Sequence, residues 1–127
     1  MTLKSPLGRV LGLGAAGGVQ HWWLQRVGAV ALAPLSAWFA IALLSLPDRS
    51  YAAVHAWLAQ PLHAVLMLLL APIAVHHAWI GVSIVLEDYV HGRVTKSVAL
   101  LLAQLLHLLI GVAAVFAILK VALGSAQ

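Results

Sequence analysis

The residues of this chain best suited to chemistry are a histidine inside an apolar segment and an acid–phenol pair at the end of that segment. His77 lies within the 36 uncharged residues from Tyr51 to Leu86, and Asp88-Tyr89 follow where charge returns. An imidazole inside a membrane helix is costly unless it bonds to a partner, and neutral imidazole is a common iron ligand. Bound haem is therefore the leading explanation for His77.

The segments that must position these residues have the composition of a membrane protein. Of the 127 residues, 64% are hydrophobic and only 8% are charged. The uncharged runs 27–46 and 97–119 are each long enough to cross the ~30 Å of a hydrocarbon core. The middle run would extend about 54 Å as one helix, so we expect a short interfacial helix at 51–58 and a span at 61–86. The predicted fold class is all-α, an integral membrane three-helix anchor.

The basic residues predict how the chain is oriented. Five of them lie before the first span or after the second, and two lie on the other side: Lys4, Arg9, Arg26, Arg93 and Lys96 against Arg49 and Lys120. By the positive-inside rule the N-terminus faces the cytoplasm or the matrix, and the C-terminus lies on the opposite side. We expect residues 1–20 to form a flexible basic arm, followed by one three-span domain at 21–127.

Charge and cysteine content exclude several classes of function. The formal net charge of +4 does not indicate a nucleic-acid partner, because the basic residues sit at span ends, where topology explains them. The chain has no cysteine, which excludes disulfides, thiolate metal sites and cysteine-ligated iron–sulfur clusters within it. Any such cluster must belong to a partner protein.

Two histidines, His77 and His107, are candidates for the iron ligand because their helix neighbours have small side chains. His77 has Ala74 three residues before it and Gly81 four residues after it, so little side-chain bulk keeps a flat porphyrin from its helix face. His107 on the third span also has small neighbours and is a rival. A third interpretation is that these imidazoles only form hydrogen bonds between helices, as polar residues in membrane bundles commonly do.

Two further histidines of the middle span are weaker candidates. His76 has Trp79 and Ile80 on its helix face, which predicts a crowded face suited to packing. His63 lies 14 residues before His77, close to four helical turns, a spacing that resembles the paired ligands of di-haem cytochrome b helices. His63 also lies at the start of its span, where an interfacial histidine needs no ligand role.

Charged and phenolic residues at the span ends could hold the polar parts of ligands. The hydroxyl of Tyr89 can donate to a carbonyl oxygen, and the carboxylate of Asp88 can hold or relay a proton. The guanidinium of Arg26 could pair with a haem propionate. The alternatives are an aromatic-belt tyrosine beside an ordinary interfacial acid, and a positive-inside anchor at Arg26.

Three segments together carry a family resemblance, and they are His77-Ala-Trp-Ile-Gly81, Asp88-Tyr89-Val90 and the entry segment His21-Trp-Trp-Leu-Gln-Arg26. They resemble the small hydrophobic membrane-anchor subunit of succinate dehydrogenase, respiratory complex II, which is the three-span partner of the cytochrome b subunit. The similarity covers residues 20–120 and agrees with the span count, size and orientation predicted above.

This resemblance implies a role for each matching residue. His77 would be an axial ligand of one haem b shared with the cytochrome b subunit, which would supply the opposite histidine. Tyr89 would form a hydrogen bond to ubiquinone with Asp88 beside it, and Arg26 would face a haem propionate, assisted by His21. The residues His63, His91 and His107 match no role in the family.

The resemblance also implies an assembly in a bacterial or mitochondrial inner membrane. Succinate would be oxidised in a flavoprotein subunit, and electrons would pass through an iron–sulfur subunit to ubiquinone, while this chain anchors both subunits without bond chemistry of its own. Two alternatives remain open. One is a fumarate reductase anchor, and the other is a haem-free structural or proton-conducting membrane protein.

Overall fold

Four helices make up the described part of the chain. The computed structural model describes the backbone of residues 15–124 and the side chains of residues 22–124. The helices are α1 (Ala15–Leu44), α2 (Tyr51–Ala59), α3 (Pro61–Tyr89) and α4 (Arg93–Gly124). Because this part of the chain contains no strand, the predicted all-α class is confirmed.

Three of these helices are long and apolar enough to cross a membrane. The candidate spans are Trp22–Leu44, Pro61–Tyr89 and Arg93–Gly124. The three-span prediction is therefore confirmed, and 51–58 is indeed part of a separate short helix. The second and third spans extend past the uncharged runs, because charged side chains at a span end reach water without ending the helix.

The predicted N-terminal arm lies mostly outside the described residues. Residues 1–14 are not among the described residues. Helix α1 begins at Ala15, inside the range 1–20 expected for the arm. The backbone from 15 to 20 is helical, so the first helix begins earlier than the uncharged run 27–46 indicates.

The long helices pack as two antiparallel pairs. In the α1–α3 pair, Gly28 lies beside Ile73, and a Cβ atom added at this glycine would be 4.0 Å from the Ile73 Cγ2. In the α3–α4 pair, a Cβ atom added at Gly111 would be 3.5 Å from the Val75 Cγ1. Small residues at these contacts let helix backbones approach closely, which is how membrane helices gain packing energy.

One hydrogen bond crosses the turn between α3 and α4, and a second closes the last turn of α3. The Lys96 Nζ donates to the Glu87 carbonyl oxygen at 2.7 Å, and the Val90 N–H donates to the Leu86 carbonyl oxygen at 3.0 Å. The last carbonyls of a helix lack partners within the helix, so a lysine at this end is favourable. These contacts fix the end of α3, which carries Asp88 and Tyr89.

At the other end of the bundle, Trp57 anchors the short helix α2. Its ring stacks on His63 with centroids 4.6 Å apart and on Trp38 at 5.9 Å. The His63 Nδ1–H donates to the Trp57 carbonyl oxygen at 2.8 Å. The imidazole of His63 therefore joins α2 to the start of α3.

A short loop before α2 supplies its N-terminal cap. The Ser50 Oγ accepts a hydrogen bond from the Ala53 N–H at 3.3 Å, and the Ser50 N–H donates to Asp48 Oδ1 at 3.0 Å. Hydrogen bonds from the Ser50 side chain and backbone lower the pKa of Asp48. Capping of this kind satisfies N–H groups that the first turn leaves free.

Little of the apolar surface is covered within the chain. The buried hydrophobic residues among those described are Trp57, Ala64, Leu70, Ile80 and Ile118. Many other large apolar side chains of the spans are exposed, which is expected where lipid or partner helices supply the remaining contacts.

Candidate functional site

His77 lies on an open face of α3. Its side chain is exposed, and so are Ala78 and Gly81 on the same side of the helix. A Cβ atom added at Gly81 would meet nothing within 4 Å. Among the described residues no hydrogen-bond partner is found for the His77 imidazole. The sequence-based expectation of low side-chain bulk beside this histidine agrees with the structure.

Arg26 lies at nearly the same level of the bundle as His77, on the neighbouring helix. The contact between Gly28 and Ile73 sets the register of the antiparallel pair. Arg26 lies two residues from Gly28, and His77 lies four residues from Ile73. Both are displaced towards the end of the bundle that carries Tyr89. At 1.5 Å per residue the two Cα atoms lie within about 3 Å of the same level.

The guanidinium of Arg26 is held over an aromatic ring. Its Cζ lies 4.5 Å from the centroid of the Trp22 ring, which is within the range of a cation–π contact. Trp22 is itself packed edge-on against Trp23, with centroids 5.4 Å apart. The arginine is exposed, so its N–H donors remain available to a ligand that approaches the bundle from outside.

Asp88 and Tyr89 are the last two residues of α3 and both are exposed. Tyr89 exposes 78% of its surface, so the described chain leaves most of this residue uncovered. The 11 residues from His77 to Asp88 correspond to about 16 Å along the helix axis. The structure therefore places these two residues at the C-terminal end of α3 and His77 well within the span.

The candidate His21 and the unassigned His91 fall outside this arrangement. The side chain of His21 lies outside the described residues, so the contact expected between it and a propionate stays a prediction. His91 is exposed in the connection between α3 and α4. Among the described residues no hydrogen bond or ring contact involves it.

His76 occupies a different environment from the packed one predicted for it. It is exposed and lines an open cleft between α3 and α4 with a volume of about 670 Å³. The crowding expectation was wrong because it counted neighbours on one helix. The position of α4 instead leaves a gap beside Trp79.

His107 faces the same cleft from α4. Its Nδ1–H donates to the Ala103 carbonyl oxygen at 2.7 Å, and its ring lies edge-on to Trp79 with centroids 6.0 Å apart. A neutral imidazole that donates through Nδ1 has its lone pair on Nε2, the form in which histidine binds iron or accepts a hydrogen bond. The sequence indicates His107 and its polar companion Gln104, and only the structure shows that Trp79 of α3 packs against His107.

Within the described residues, no group of three or more His, Cys, Asp or Glu side chains could hold a metal ion. A haem iron takes four bonds from the porphyrin and at most two from protein, so one histidine is enough for one chain of a shared site. The open face of His77 is compatible with such sharing.

Comparison with known proteins identifies the family of the chain. The family described as "Succinate dehydrogenase/Fumarate reductase transmembrane subunit" matches residues 1–119. The chain belongs to this family. The match covers α1, α2, α3 and most of α4, so it includes every candidate residue considered above.

Individual relatives are similar over most of their length. The succinate dehydrogenase hydrophobic membrane anchor subunit of Paracoccus denitrificans is 30% identical over 115 residues, 90% of this chain and 88% of the relative. That of Rickettsia conorii is 30% identical over 92 residues, 72% and 73% of the two chains. The succinate dehydrogenase membrane anchor subunit of Reclinomonas americana is 30% identical over 93 residues, 70% and 77%. No solved structure gives a significant match.

These findings confirm the resemblance predicted from the sequence. They also confirm the prediction of a multi-pass protein in a bacterial or mitochondrial membrane. Three candidate spans are present, and the similar proteins are named membrane anchor subunits.

Proposed function

We propose that this chain is the membrane anchor of a succinate:ubiquinone oxidoreductase, in which it shares one haem b with the cytochrome b subunit and forms part of the ubiquinone site. The observation that carries the proposal is the common level of His77 and Arg26 on adjacent helices. These residues have the two functions that a haem requires from this side, an iron ligand and a partner for a propionate. Family membership supports the anchor role itself.

The open face of α3 fits a flat porphyrin. The imidazole of His77 is exposed, and next to it Gly81 leaves space where a larger side chain would project. A haem b bound here would supply one-electron transfer between the iron–sulfur subunit and the quinone site. The second axial histidine would come from the cytochrome b subunit, because among the described residues no second histidine shares the open face.

The contact of Arg26 with Trp22 would orient the guanidinium for a ligand. The Arg26 Cζ lies over the Trp22 ring, and a guanidinium held there would lose less entropy on forming two parallel hydrogen bonds to a carboxylate. Arg26 would hold a propionate in this way, while His77 would hold the iron. His21 would assist from the same helix.

Tyr89 and Asp88 serve the ubiquinone. The Tyr89 O–H would donate to a quinone carbonyl oxygen, which stabilises the negative charge that develops there on reduction. The adjacent Asp88 carboxylate would hold a proton for delivery to the same oxygen. Their exposure at the end of α3 leaves this part of the pocket to be completed by partner subunits.

The chain performs no oxidation of succinate by itself on this proposal. The flavoprotein subunit would oxidise succinate, and the iron–sulfur subunit would carry electrons to the membrane. Both subunits would lie on the cytoplasmic or matrix side of the membrane. The distribution of basic residues predicts that the end of the bundle with Tyr89 faces the same side. This chain contributes position, hydrogen bonds and a water-poor environment.

A fumarate reductase anchor is the second candidate, because the family description includes both enzymes. The direction of the reaction follows from the reduction potential of the quinone. Purification of the native assembly with identification of its partners and its quinone decides between the two. The proposal requires flavoprotein, iron–sulfur and cytochrome b subunits together with a low-spin bis-histidine b-type spectrum, and a haem-free assembly would contradict it.

A further inference from the structure

Tyr89 depends on the backbone of α3 for its position. It is the last residue of α3, and most of its surface is exposed, so packing within the described chain does little to hold the ring in place. The final turn of a helix lacks part of the hydrogen-bond ladder that stabilises the helix interior, and helix ends fray for this reason. A hydroxyl that must meet a ligand at this point needs additional support for the final turn.

Lys96 supplies such support from the neighbouring helix. Its Nζ donates to the Glu87 carbonyl oxygen at 2.7 Å, and its backbone N–H donates to the Gly92 carbonyl oxygen at 2.7 Å. In a longer α3 the Glu87 carbonyl would accept from the N–H of residue 91. The lysine replaces this missing donor at a carbonyl that lies two residues before Tyr89.

The connection between the two helices is short and closely packed. Residues 90–92 separate Tyr89, the end of α3, from Arg93, the start of α4. A Cβ atom added at Gly92 would be 3.0 Å from the Thr95 Oγ1 and 3.4 Å from the Thr95 Cβ. The connection therefore lies against the first turn of α4, and Lys96 and the end of α3 belong to one packed unit.

The position of Lys96 is electrostatically unfavourable for its own helix. A helix carries a partial positive charge at its N-terminus and a partial negative charge at its C-terminus. Lys96 lies three residues after the first residue of α4, where a cation is disfavoured. Its ammonium group contacts a carbonyl at the C-terminal end of α3, where a cation is favoured. The lysine therefore stabilises the end of α3 rather than the start of α4.

Arg93 provides a comparison within the same turn. It has the same charge and is the first residue of α4, yet it is exposed, whereas Lys96 is half-buried. Among the described residues no hydrogen bond or ion pair is found for the Arg93 side chain. The rule that orients the chain by its basic residues treats the two alike, so the contact with α3 is what distinguishes Lys96.

We propose that Lys96 is a positioning residue for quinone reduction, because its bond to the Glu87 carbonyl keeps the Tyr89 hydroxyl where it meets the quinone. This inference rests on the quinone site proposed at Tyr89. Lys96 itself contacts neither the quinone nor the haem. It acts through the backbone of residues 87–89, so its effect on the reaction requires the Tyr89 hydroxyl.

Substitution of Lys96 in the purified complex tests this role. Lys96→Met keeps a long apolar stem and removes the N–H donors. With a short-chain ubiquinone, kcat/KM is expected to fall about two- to fivefold, because Tyr89 leaves its productive position for part of the time. The fall should be divided between kcat and KM as in Tyr89→Phe, since the same interaction is weakened. Haem content and succinate oxidation with a soluble acceptor should be retained.

A double-mutant cycle identifies the route by which Lys96 acts. A residue that acts only through the Tyr89 hydroxyl has no further effect once that hydroxyl is removed. We therefore expect Lys96→Met/Tyr89→Phe to have the quinone kinetics of Tyr89→Phe. Lys96→Arg should restore most of the lost kcat/KM, because a guanidinium on a stem of similar length can donate to the same carbonyl oxygen.

Arg93→Met is the matched control. It removes the same charge from the same turn of α4 and leaves the contact between Lys96 and Glu87 intact. In either variant four of the five basic residues on this side of the membrane remain, against two on the other side, so the orientation of the chain should be retained. Arg93→Met should leave kcat/KM for the quinone unchanged.

Three outcomes would overturn the positioning role alone. The first is equal quinone kinetics of Lys96→Met and Arg93→Met while Tyr89→Phe is impaired. The second is an effect of Lys96→Met that adds fully to that of Tyr89→Phe, which would show that Lys96 acts by another route. The third is loss of haem or of partner subunits from Lys96→Met, which would make the lysine purely structural. Normal quinone reduction by Tyr89→Phe would instead overturn the quinone placement, and the positioning role with it.

Discussion

His76 and His77 are neighbours in sequence with the same side chain, yet they belong to two different surfaces of α3. His77 faces outward beside Gly81, at the level of Arg26, with free space in front of it. His76 faces a cleft that α4 closes on one side. The function of a membrane histidine therefore depends on which neighbouring helix its face meets, because each step along a helix turns the side chain by about 100°.

The largest expected effect is the response of haem to the two histidine substitutions. His77→Ala should remove the haem or leave it loosely bound, because the iron loses an axial bond. His76→Ala should retain it, since its imidazole faces the cleft. Absorption spectra of the two purified complexes measure the difference. An unchanged spectrum in the His77 variant, or loss of haem in a His107→Ala variant alone, would contradict the assignment of His77 as the iron ligand.

Arg26→Gln should have the next largest effect on the outward face. Hydrogen bonds to a charged group contribute about 1.5–3 kcal/mol, so haem should be released about 10–100 times more readily from the variant complex. Transfer of haem to an apoprotein acceptor measures this release. Arg49→Gln is the control, since this arginine lies in the loop at the other end of the bundle. Equal release from both variants would indicate that Arg26 acts only as a topological anchor.

Tyr89→Phe should reduce quinone reductase activity while the haem is retained. One hydrogen bond to a neutral acceptor contributes about 0.5–1.5 kcal/mol, which corresponds to about a two- to tenfold decrease. Succinate oxidation with a soluble artificial acceptor should remain close to that of the unmodified complex, because such an acceptor bypasses the membrane pocket. Activity equal to that of the unmodified complex at all quinone concentrations would make Tyr89 an aromatic-belt residue.

The smallest expected effect comes from adding one methyl group to the outward face. In Gly81→Ala the new Cβ meets nothing among the described residues, so the isolated fold should be unaffected. In the complex it should lower the temperature at which haem is lost by a few degrees, if about 1 kcal/mol of packing is disturbed. Gly124→Ala, where the new Cβ also meets nothing, is the matched control. Identical haem-loss temperatures would show that the porphyrin does not approach Gly81.

Much of this architecture could be predicted because a bilayer imposes simple rules. The lengths of the uncharged runs indicate three spans, and the excess length of the middle run indicates the separate helix that begins at Tyr51. The boundaries were less predictable. The helix that begins at Arg93 continues through charged residues, since charge at a membrane surface limits the span without interrupting the backbone hydrogen bonds of the helix.

The sequence by itself determined the helices, their number, and the candidate residues along them, because hydrophobic length and residue type act locally. It indicated His77 with its small neighbours and located Asp88 and Tyr89 at the end of a span. Only the tertiary structure decided which residues share a level or a cavity. Helix register brings Arg26 to the level of His77 and joins His76 with His107 in one cleft, and that register depends on contacts such as Gly111 with Val75 between residues far apart in the chain.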